Sequence, residues 1–384
     1  EAAEHWDVYA SMFGGIPTAE IDEMSEFWTA FPALKKALFT ESGIPYVNVS
    51  TPDIKSAIKS HPDVVGFENA FNAAFSTFPA FLKEELIDRM GSIEISKAET
   101  VLSADIFERL KEIPLIDKYA AFQLLDDDWT GISIDLEMLQ TEGFAATKKV
   151  DPNLVIKKKD GKDQEVQEGW VGHIIPFDLV QATLLSTETD ELHGLDSRLA
   201  EIPSEYESIL DEMTEEDKES CNDVLTEEGD AFVPKEVSKK IKELKKDRSP
   251  ESVALRILLE KVESLVKSEK EIKAEIKAKS AALQAKTKDT IERLSDEQAL
   301  DLLEKKWIAP LIESIHKLPD TVIDSLVSKI QALQNKYATT FFEVEQQISE
   351  TEATLSEMID DLEGNEYDML GLNELKKLLG GSAE

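Results

Sequence analysis

Side chains able to bind a metal ion or attack a substrate are few and widely spaced in this chain of 384 residues. It has five histidines and a single cysteine, Cys221, and their positions do not follow the spacing of zinc ligands. Asp126, Asp127 and Asp128 form an acidic triplet. Consecutive carboxylates at a helix end do not converge, so we interpret the triplet as a solvated helix cap rather than a cation site. The sequence therefore predicts no metal centre.

Motifs for nucleotide binding and nucleophilic catalysis are missing as well. The sequence contains no P-loop, no glycine-rich dinucleotide fingerprint, no nucleophile elbow and no kinase signature. Each of these motifs places a backbone turn or a nucleophile where the chemistry requires it. We therefore predict no catalytic and no cofactor-binding residue in this chain.

Composition restricts the partners and the compartment. The chain carries 79 acidic and 42 basic residues, a net charge of −37, which disfavours DNA binding by the whole surface and favours a basic partner. A lone cysteine excludes an internal disulfide and suits a reducing compartment. Neither a signal peptide nor an apolar run of about 20 residues is found. We expect a cytoplasmic protein without a membrane segment and, because Glu1 stands where an initiator methionine would, a piece of a longer protein.

Strand and turn signals concentrate in the middle of an otherwise helical pattern. Pro114 predicts a helix end near Ile113, and a short amphipathic helix should follow and end at the acidic triplet. Apolar residues at 132, 134, 136 and 138 alternate with polar ones, which predicts a half-buried strand. Two further segments, 153–159 and 162–170, flank Asp160-Gly161, a dipeptide that favours the tight turn of a hairpin. We expect a small antiparallel β element between about Gly131 and Val171.

Two long heptad patterns follow. The first has only two polar positions, Glu269 and Lys279, in an apolar series from Leu255 to Leu283, as in a coiled coil with two specificity positions. The second series contains a four-residue step, which we interpret as a stutter within one long helix. Its members are Ile323, Leu326, Ile330, Leu333, Tyr337, Phe341, Val344, Ile348, Thr351, Leu355, Met358 and Leu362.

These patterns predict a mainly α fold (α+β): a helical domain with a small antiparallel β element, followed by long antiparallel coiled-coil-like helices. We divide the chain into a helical region (1–112), a central helix with the β element (113–185), a charged helical arm (186–250) and a long helical hairpin (251–384). Between residues 186 and 230 the arm has 17 acidic residues and two basic ones, Arg198 and Lys218. That excess fits either a solvated helical hairpin or a surface that mimics DNA phosphates or repels DNA from one face.

Three segments, which we call the signature segments, resemble one family in their order and spacing. Residues 114–129 contain Pro114-Leu115-Ile116-Asp117, Tyr119, Phe122-Gln123-Leu124 and Asp128-Trp129. Residues 169–176 contain Gly169-Trp170 and Ile174-Ile175-Pro176, and a weaker match, Lys305-Lys306-Trp307-Ile308, follows. They resemble the C-terminal part of the modification (M) subunit, the DNA methyltransferase of type I restriction–modification systems. The resemblance covers roughly residue 60 to the C-terminus.

The resemblance implies a role in an assembly. The full subunit of that family methylates adenine at N6 with S-adenosylmethionine, together with a specificity subunit and a motor-nuclease subunit on DNA. The family's glycine-rich cofactor loop and its Asn-Pro-Pro-aromatic motif are absent here, so no catalytic residue carries over and the cofactor would belong to the full-length subunit. Residues 1–112 would adjoin the catalytic domain. The long helices would dock on the specificity subunit and help to close the complex around DNA.

We predict that the second heptad series forms much of the docking surface, with the helix at 255–283 beside it. The predicted partner-binding residues are Ile323, Leu326, Ile330, Tyr337, Phe341, Ile348, Leu355 and Leu362. Two alternatives from other classes stay open. One is an acidic helical scaffold, or interaction protein, without a role on DNA, and the other is a DNA-mimic inhibitor.

Overall fold

The fold is mainly α-helical with a small antiparallel β element in the middle of the chain, as the sequence predicts, and a second short strand pair near residue 16 that it does not predict. A computed structural model describes residues 15–40, 46–159, 162–226, 229–247, 249–339, 341–360, 362 and 366–378. The chain divides into two compact units. The first comprises residues 1–85, 94–130 and 310–384, and the second comprises residues 86–93 and 131–309.

The elements in chain order are β1 (Ile16–Pro17), α1 (Thr18–Glu23), α2 (Ser25–Ala30), α3 (Leu34–Leu38), β2 (Tyr46–Val47), α4 (Ile54–Ser60), α5 (Pro62–Phe75), α6 (Phe78–Leu82), a π-helical turn (Lys83–Asp88), α7 (Ile95–Arg109), α8 (Lys118–Glu142), a 3-10 turn (Phe144–Lys148), β3 (Val150–Lys159), β4 (Lys162–Gly172), α9 (Phe177–Leu184), α10 (Ser186–Glu212), α11 (Glu215–Ser220), α12 (Pro234–Leu244), α13 (Pro250–Glu292), α14 (Asp296–Trp307), α15 (Ala309–His316), α16 (Leu318–Lys336), α17 (Phe341–Asp360) and α18 (Glu366–Leu378).

Aromatic side chains fill much of the core of the first unit. Phe71 and Phe75, one turn apart on α5, stack with ring centroids 4.7 Å apart, and Phe78 meets Phe75 edge to face. Helix α16 packs against α4 in the same unit. The side-chain amine of Lys59 on α4 lies 2.6 Å from the carboxylate of Asp320 on α16. Apolar packing, with ion pairs at its edge, therefore fixes α16 within this unit.

Two long helices, α10 and α13, organise the second unit and run antiparallel. Glu191, near the start of α10, pairs with Lys279 near the end of α13, at 2.9 Å. Glu212, at the end of α10, pairs with Lys261 near the start of α13, at 3.1 Å. Helix α12 packs on α13 as well, and its Val237 joins the same apolar cluster. Long antiparallel helices are therefore present in the second unit, where the charged arm packs against α13.

Strands β3 and β4 form a two-stranded antiparallel ribbon. The register runs from Val150 opposite Gly172 to Lys159 opposite Lys162, so the connection is two residues long. The conformation of Asp160-Gly161, for which a tight turn is predicted, lies outside the described residues. A bulge interrupts β4, because Pro152 pairs with Trp170 and Leu154 with Gln167.

The strand predicted at residues 132–138 is wrong. These residues belong to α8, a continuous helix of 25 residues, and the acidic triplet lies inside it rather than ending it. Trp129, Ile132, Leu136 and Leu139 are buried at spacings of three and four, whereas Ile134 is 53% exposed. Helical burial therefore explains the apolar positions, and the alternation with polar residues is incidental.

Candidate partner-binding surface

The first half of the predicted docking series is buried in the core of the first unit. Ile323, Leu326 and Ile330 on α16 are fully buried within the first unit, at 0%, 1% and 0% exposure. Val322 and Val327 are buried beside them, giving the wide apolar face of a helix packed on its own domain. A narrow seam for one external helix would leave such flanking positions exposed. These side chains stabilise the first unit and are not available to a partner.

Tyr337 lies at the break between the buried and the exposed half of the series. Helix α16 ends at Lys336 and α17 begins at Phe341, so the four-residue step is a helix break and not a stutter. The ring of Tyr337 is buried and its hydroxyl donates to the carboxylate of Glu20 on α1. Burial, and then this carboxylate, raise the pKa of the phenol to about 12. The Tyr337 contact anchors the end of α16 within the first unit.

Beyond the break, the predicted residues are exposed. Ile348 and Leu355 on α17 are 53% and 42% exposed, and Leu362, just after the helix, is 51% exposed. Val344 and Met358 lie at the intervening heptad positions and are exposed too. We call these five residues the apolar stripe. The side chain of Phe341, the remaining predicted residue, lies outside the described residues. The structure therefore assigns an accessible apolar surface to only the second half of the series.

Helix α18 adds apolar surface that the sequence analysis did not select. Tyr367, Leu370 and Leu375 are exposed at 84%, 60% and 46%. Helices α17 and α18 contact each other. The signal was present, since these apolar residues recur at roughly helical spacing, but the short terminal helix has no long heptad register to draw attention to it.

The charge around the stripe has one sign. Among its 20 residues, α17 contains six acidic residues and no lysine or arginine. They are Glu343, Glu345, Glu350, Glu352, Glu357 and Asp360. A helix of this length is marginally stable in water unless one of its faces is packed. An apolar stripe with acidic neighbours therefore suits a partner helix that is apolar along one face and basic at its flanks.

A buried carboxylate connects two of the signature segments in the second unit. The carboxylate of Asp135 on α8 is 6% exposed and accepts hydrogen bonds from the Lys306 amine and, at 2.7 Å, from the Trp307 indole nitrogen. The same amine donates to the carbonyl of Ile174 at 2.6 Å. Residues 169–176 and 305–308 therefore meet at one point on α8. With its hydrogen bonds satisfied and little solvent access, this group is suited to holding the segments together rather than to proton transfer.

Sequence analysis missed Asp135 because it treated the residue as the solvent-facing member of a strand. The apolar residues around it recur at helical spacing, which was the available signal. A carboxylate on the buried side of such a helix requires a cationic or hydrogen-bonding partner. Nothing in the sequence indicated that Lys306, 171 positions away, is that partner.

The backbone requires glycine at two positions of the second signature segment. Gly169 has a φ of +81° at the bulge in β4, a conformation that other residues rarely adopt. At Gly172, an added Cβ would lie 1.7 Å from the carbonyl oxygen of Ile175, so any larger residue would displace the loop. Trp170, between them, is covered on one face by the Lys288 amine, 3.5 Å from the ring centroid. This segment fixes the ribbon to the second unit.

Charged side chains also link the base of the ribbon to α8. His173 Nδ1 lies 2.6 Å from the Asp151 carboxylate and Nε2 lies 3.1 Å from the Glu142 carboxylate. The hydrogen bond to Asp151, and then that to Glu142, raise the pKa of His173 despite partial burial. Lys149 also donates to Glu142, and this contact lowers the pKa of that carboxyl. The imidazolium between two carboxylates is therefore favoured in the folded unit.

Neither metal ligands nor similar proteins point to a further site among the described residues. In the described part of the chain, no three histidine, cysteine or acidic side chains are grouped so that they could hold a metal ion. None of the helices described there is long and apolar enough to cross a bilayer. No protein-family model matches the chain, and no curated protein or solved structure shows significant similarity to it.

Proposed function

We propose that this chain is the C-terminal part of the modification subunit of a type I restriction–modification system. In this proposal, the full-length subunit is an adenine-N6 DNA methyltransferase that uses S-adenosylmethionine. The residues of this chain serve assembly with the specificity subunit, and closure of the complex around DNA, rather than catalysis. The identity rests on the three signature segments, two of which meet at Asp135.

The observation that carries the docking role is the apolar stripe. Its side chains lie along α17 at heptad spacing, and they stay exposed, whereas the same series on α16 is covered by the first unit itself. An exposed apolar series on a helix is normally covered by a partner, because apolar surface left in water promotes aggregation. The coiled coil of a specificity subunit, as the resemblance implies, provides helices of the required shape.

The docking role is tested by co-purification with the specificity subunit encoded beside the gene for this chain. The test variant is Ile348→Asp with Leu355→Asp, which places two charges on the stripe. The matched control is Gln346→Asp with Ala353→Asp, which puts the same charges on the opposite face of α17. We expect the stripe variant to lose co-purification, the control variant to retain it, and both to keep the helical circular-dichroism signal.

Each part of the proposal has a result that would overturn it. If the stripe variant assembles as tightly as the unmodified chain, the docking surface lies elsewhere. If the unmodified chain does not bind that specificity subunit, or the gene has no such neighbour, the assignment to a type I system fails. A calorimetric titration adds a test of the cofactor assignment, because micromolar binding of S-adenosylmethionine to this chain alone would contradict it.

DNA mimicry by the acidic arm is less favoured than docking. Several acidic side chains of α10 are neutralised by lysines of α13 within the second unit, including Glu191 by Lys279 and Glu212 by Lys261. A phosphate mimic requires carboxylates that are available to a basic protein. An acidic scaffold without a role on DNA would have the same apolar stripe. Failure of the chain to bind the specificity subunit would favour this alternative over the docking role.

A further inference from the structure

We propose that the second unit contains a binding cleft for an alkyl cation, meaning an aliphatic chain that ends in an ammonium or guanidinium group. The cleft lies where α10, the segment before α12 and α13 meet. We call it the cation cleft. It is lined by Pro203, Tyr206, Glu207, Asp230, Ala231, Phe232, Pro234, Val266 and Glu269. This inference concerns the second unit and is independent of the docking role proposed for α17.

The walls of the cation cleft suit an aliphatic chain. Tyr206 and Phe232 present two rings whose centroids are 6.2 Å apart and whose planes are tilted by 53°. Val266 and two prolines complete the apolar lining. The cleft measures about 290 Å³, which is small for a nucleotide and adequate for one extended amine or one long side chain. The rings offer faces to which a cation is attracted.

The charges of the cleft select a cation. Three of the nine lining residues are carboxylates, Glu207, Asp230 and Glu269, and none is a lysine or an arginine. The Tyr206 hydroxyl donates to Glu269 at 3.2 Å, so the most enclosed carboxylate is held in place. Partial burial, and then the charge of Glu269, raise the pKa of this phenol to about 12, so it stays a neutral donor at physiological pH. The lining therefore offers an anion no cationic partner.

This cleft also gives a role to Glu269, which is polar within an apolar heptad series. Placing a carboxylate in a helix seam costs stability unless its charge is compensated. Tyr206 and Lys273 both donate to the Glu269 carboxylate, which lines the cleft. Pro203, inside α10, has no backbone N–H, so the helix lacks one hydrogen bond next to the cleft.

An alkyl cation of this kind has two sources: a free polyamine, and a lysine or arginine side chain of a partner protein. The test is a nuclear magnetic resonance titration of the intact chain with methyl-labelled Val266, in about 0.15 M salt to screen nonspecific attraction to the acidic surface. The probes are spermidine, N-acetyl-arginine amide and N-acetyl-lysine amide. We expect saturable shifts of the Val266 methyl signals with at least one of them. Preference for spermidine identifies a polyamine site, and preference for an amide identifies a side-chain site.

The variants separate the cleft from the general negative charge. Glu207→Gln removes an exposed carboxylate of the cleft, and we expect at least about tenfold weaker binding. Asp211→Asn removes the same charge one turn further along α10, outside the lining, and should leave the affinity within about twofold. Glu269→Gln should weaken binding further, and Glu207→Gln keeps the test decisive if that variant unfolds. Absence of saturable binding by all three probes, or equal weakening by Asp211→Asn, would overturn the proposal.

Discussion

Helices α16 and α17 carry the two halves of one predicted apolar series, and yet they occupy opposite environments. On α16, Ile323 and Ile330 are fully buried and the neighbouring valines are buried with them. On α17, Ile348 and Leu355 are about half exposed, although the chemical type and spacing of the residues are the same. The periodicity of apolar residues therefore identifies an apolar face of a helix, but it does not identify what covers that face. On α16 the first unit covers that face, and on α17 we propose that a partner does.

The break at Tyr337 separates the two environments. The Glu20 carboxylate receives both the Lys336 amine, at 2.7 Å, and the Tyr337 hydroxyl, so the end of α16 is fixed to α1. The charge balance changes after this point: α16 contains two acidic and two basic residues, whereas α17 contains six acidic residues and no lysine or arginine. Lys329 pairs with Glu26 of the first unit at 2.9 Å. The charge pattern therefore distinguishes the two halves more clearly than the apolar pattern does.

The largest expected difference in stability comes from placing a charge on α16 and, in a second variant, on α17. Ile330→Asp buries an uncompensated carboxylate and should destabilise the first unit by at least about 3 kcal/mol. Ile348→Asp adds the same charge to an exposed position and should change stability by about 0.5 kcal/mol or less. Chemical denaturation followed by circular dichroism measures both. Equal destabilisation by the two variants would mean that α17 is packed within the chain.

Truncation gives a smaller effect that does not depend on charge. Leu326→Ala leaves a cavity in the core of the first unit and should cost roughly 2–5 kcal/mol. Leu355→Ala, at an exposed position of α17, should cost about 0.5 kcal/mol or less. Denaturant midpoints compare the two variants. A cost above about 2 kcal/mol for Leu355→Ala would show that intramolecular packing already stabilises the stripe.

A polar contact in the second unit should give the smallest effect, and it depends on pH. The raised pKa of His173 means that its contribution is complete below the unfolded value of about 6.5 and is lost as pH rises through the folded value. The loss should be on the order of 1 kcal/mol, since water screens the half-exposed Asp151 carboxylate. His173→Gln should remove this pH dependence, which thermal melts between pH 5 and pH 9 measure. An unchanged pH profile would show that the His173 contacts do not form in solution.

Local patterns predicted much of the fold. The helical class, the ribbon and the long helix α13 follow from periodicity and from Asp160-Gly161 between two strand-like segments. The strand prediction at 132–138 failed because two of its apolar residues, Ile132 and Leu136, are also one helical turn apart, and only the burial of Trp129 and Leu139 beside them identifies the helix. Local patterns also could not show which apolar faces are free for a partner. The first unit covers α16 and α10 covers α13, and both kinds of burial depend on contacts between residues that are distant in sequence. Asp135 was not predicted for the same reason, because its partner Lys306 is distant in sequence.

Hydrogen–deuterium exchange tests the central claim most directly, because it compares α16 and α17 in one sample with and without the specificity subunit. In the free chain, we expect the amides of α16 to be protected and those of α17 to exchange rapidly, since packed helices open less often than exposed ones. In the complex, α16 should stay unchanged and α17 should become strongly protected along residues 344–358. Strong protection of α17 in the free chain, or no change in α17 on complex formation, would contradict the account.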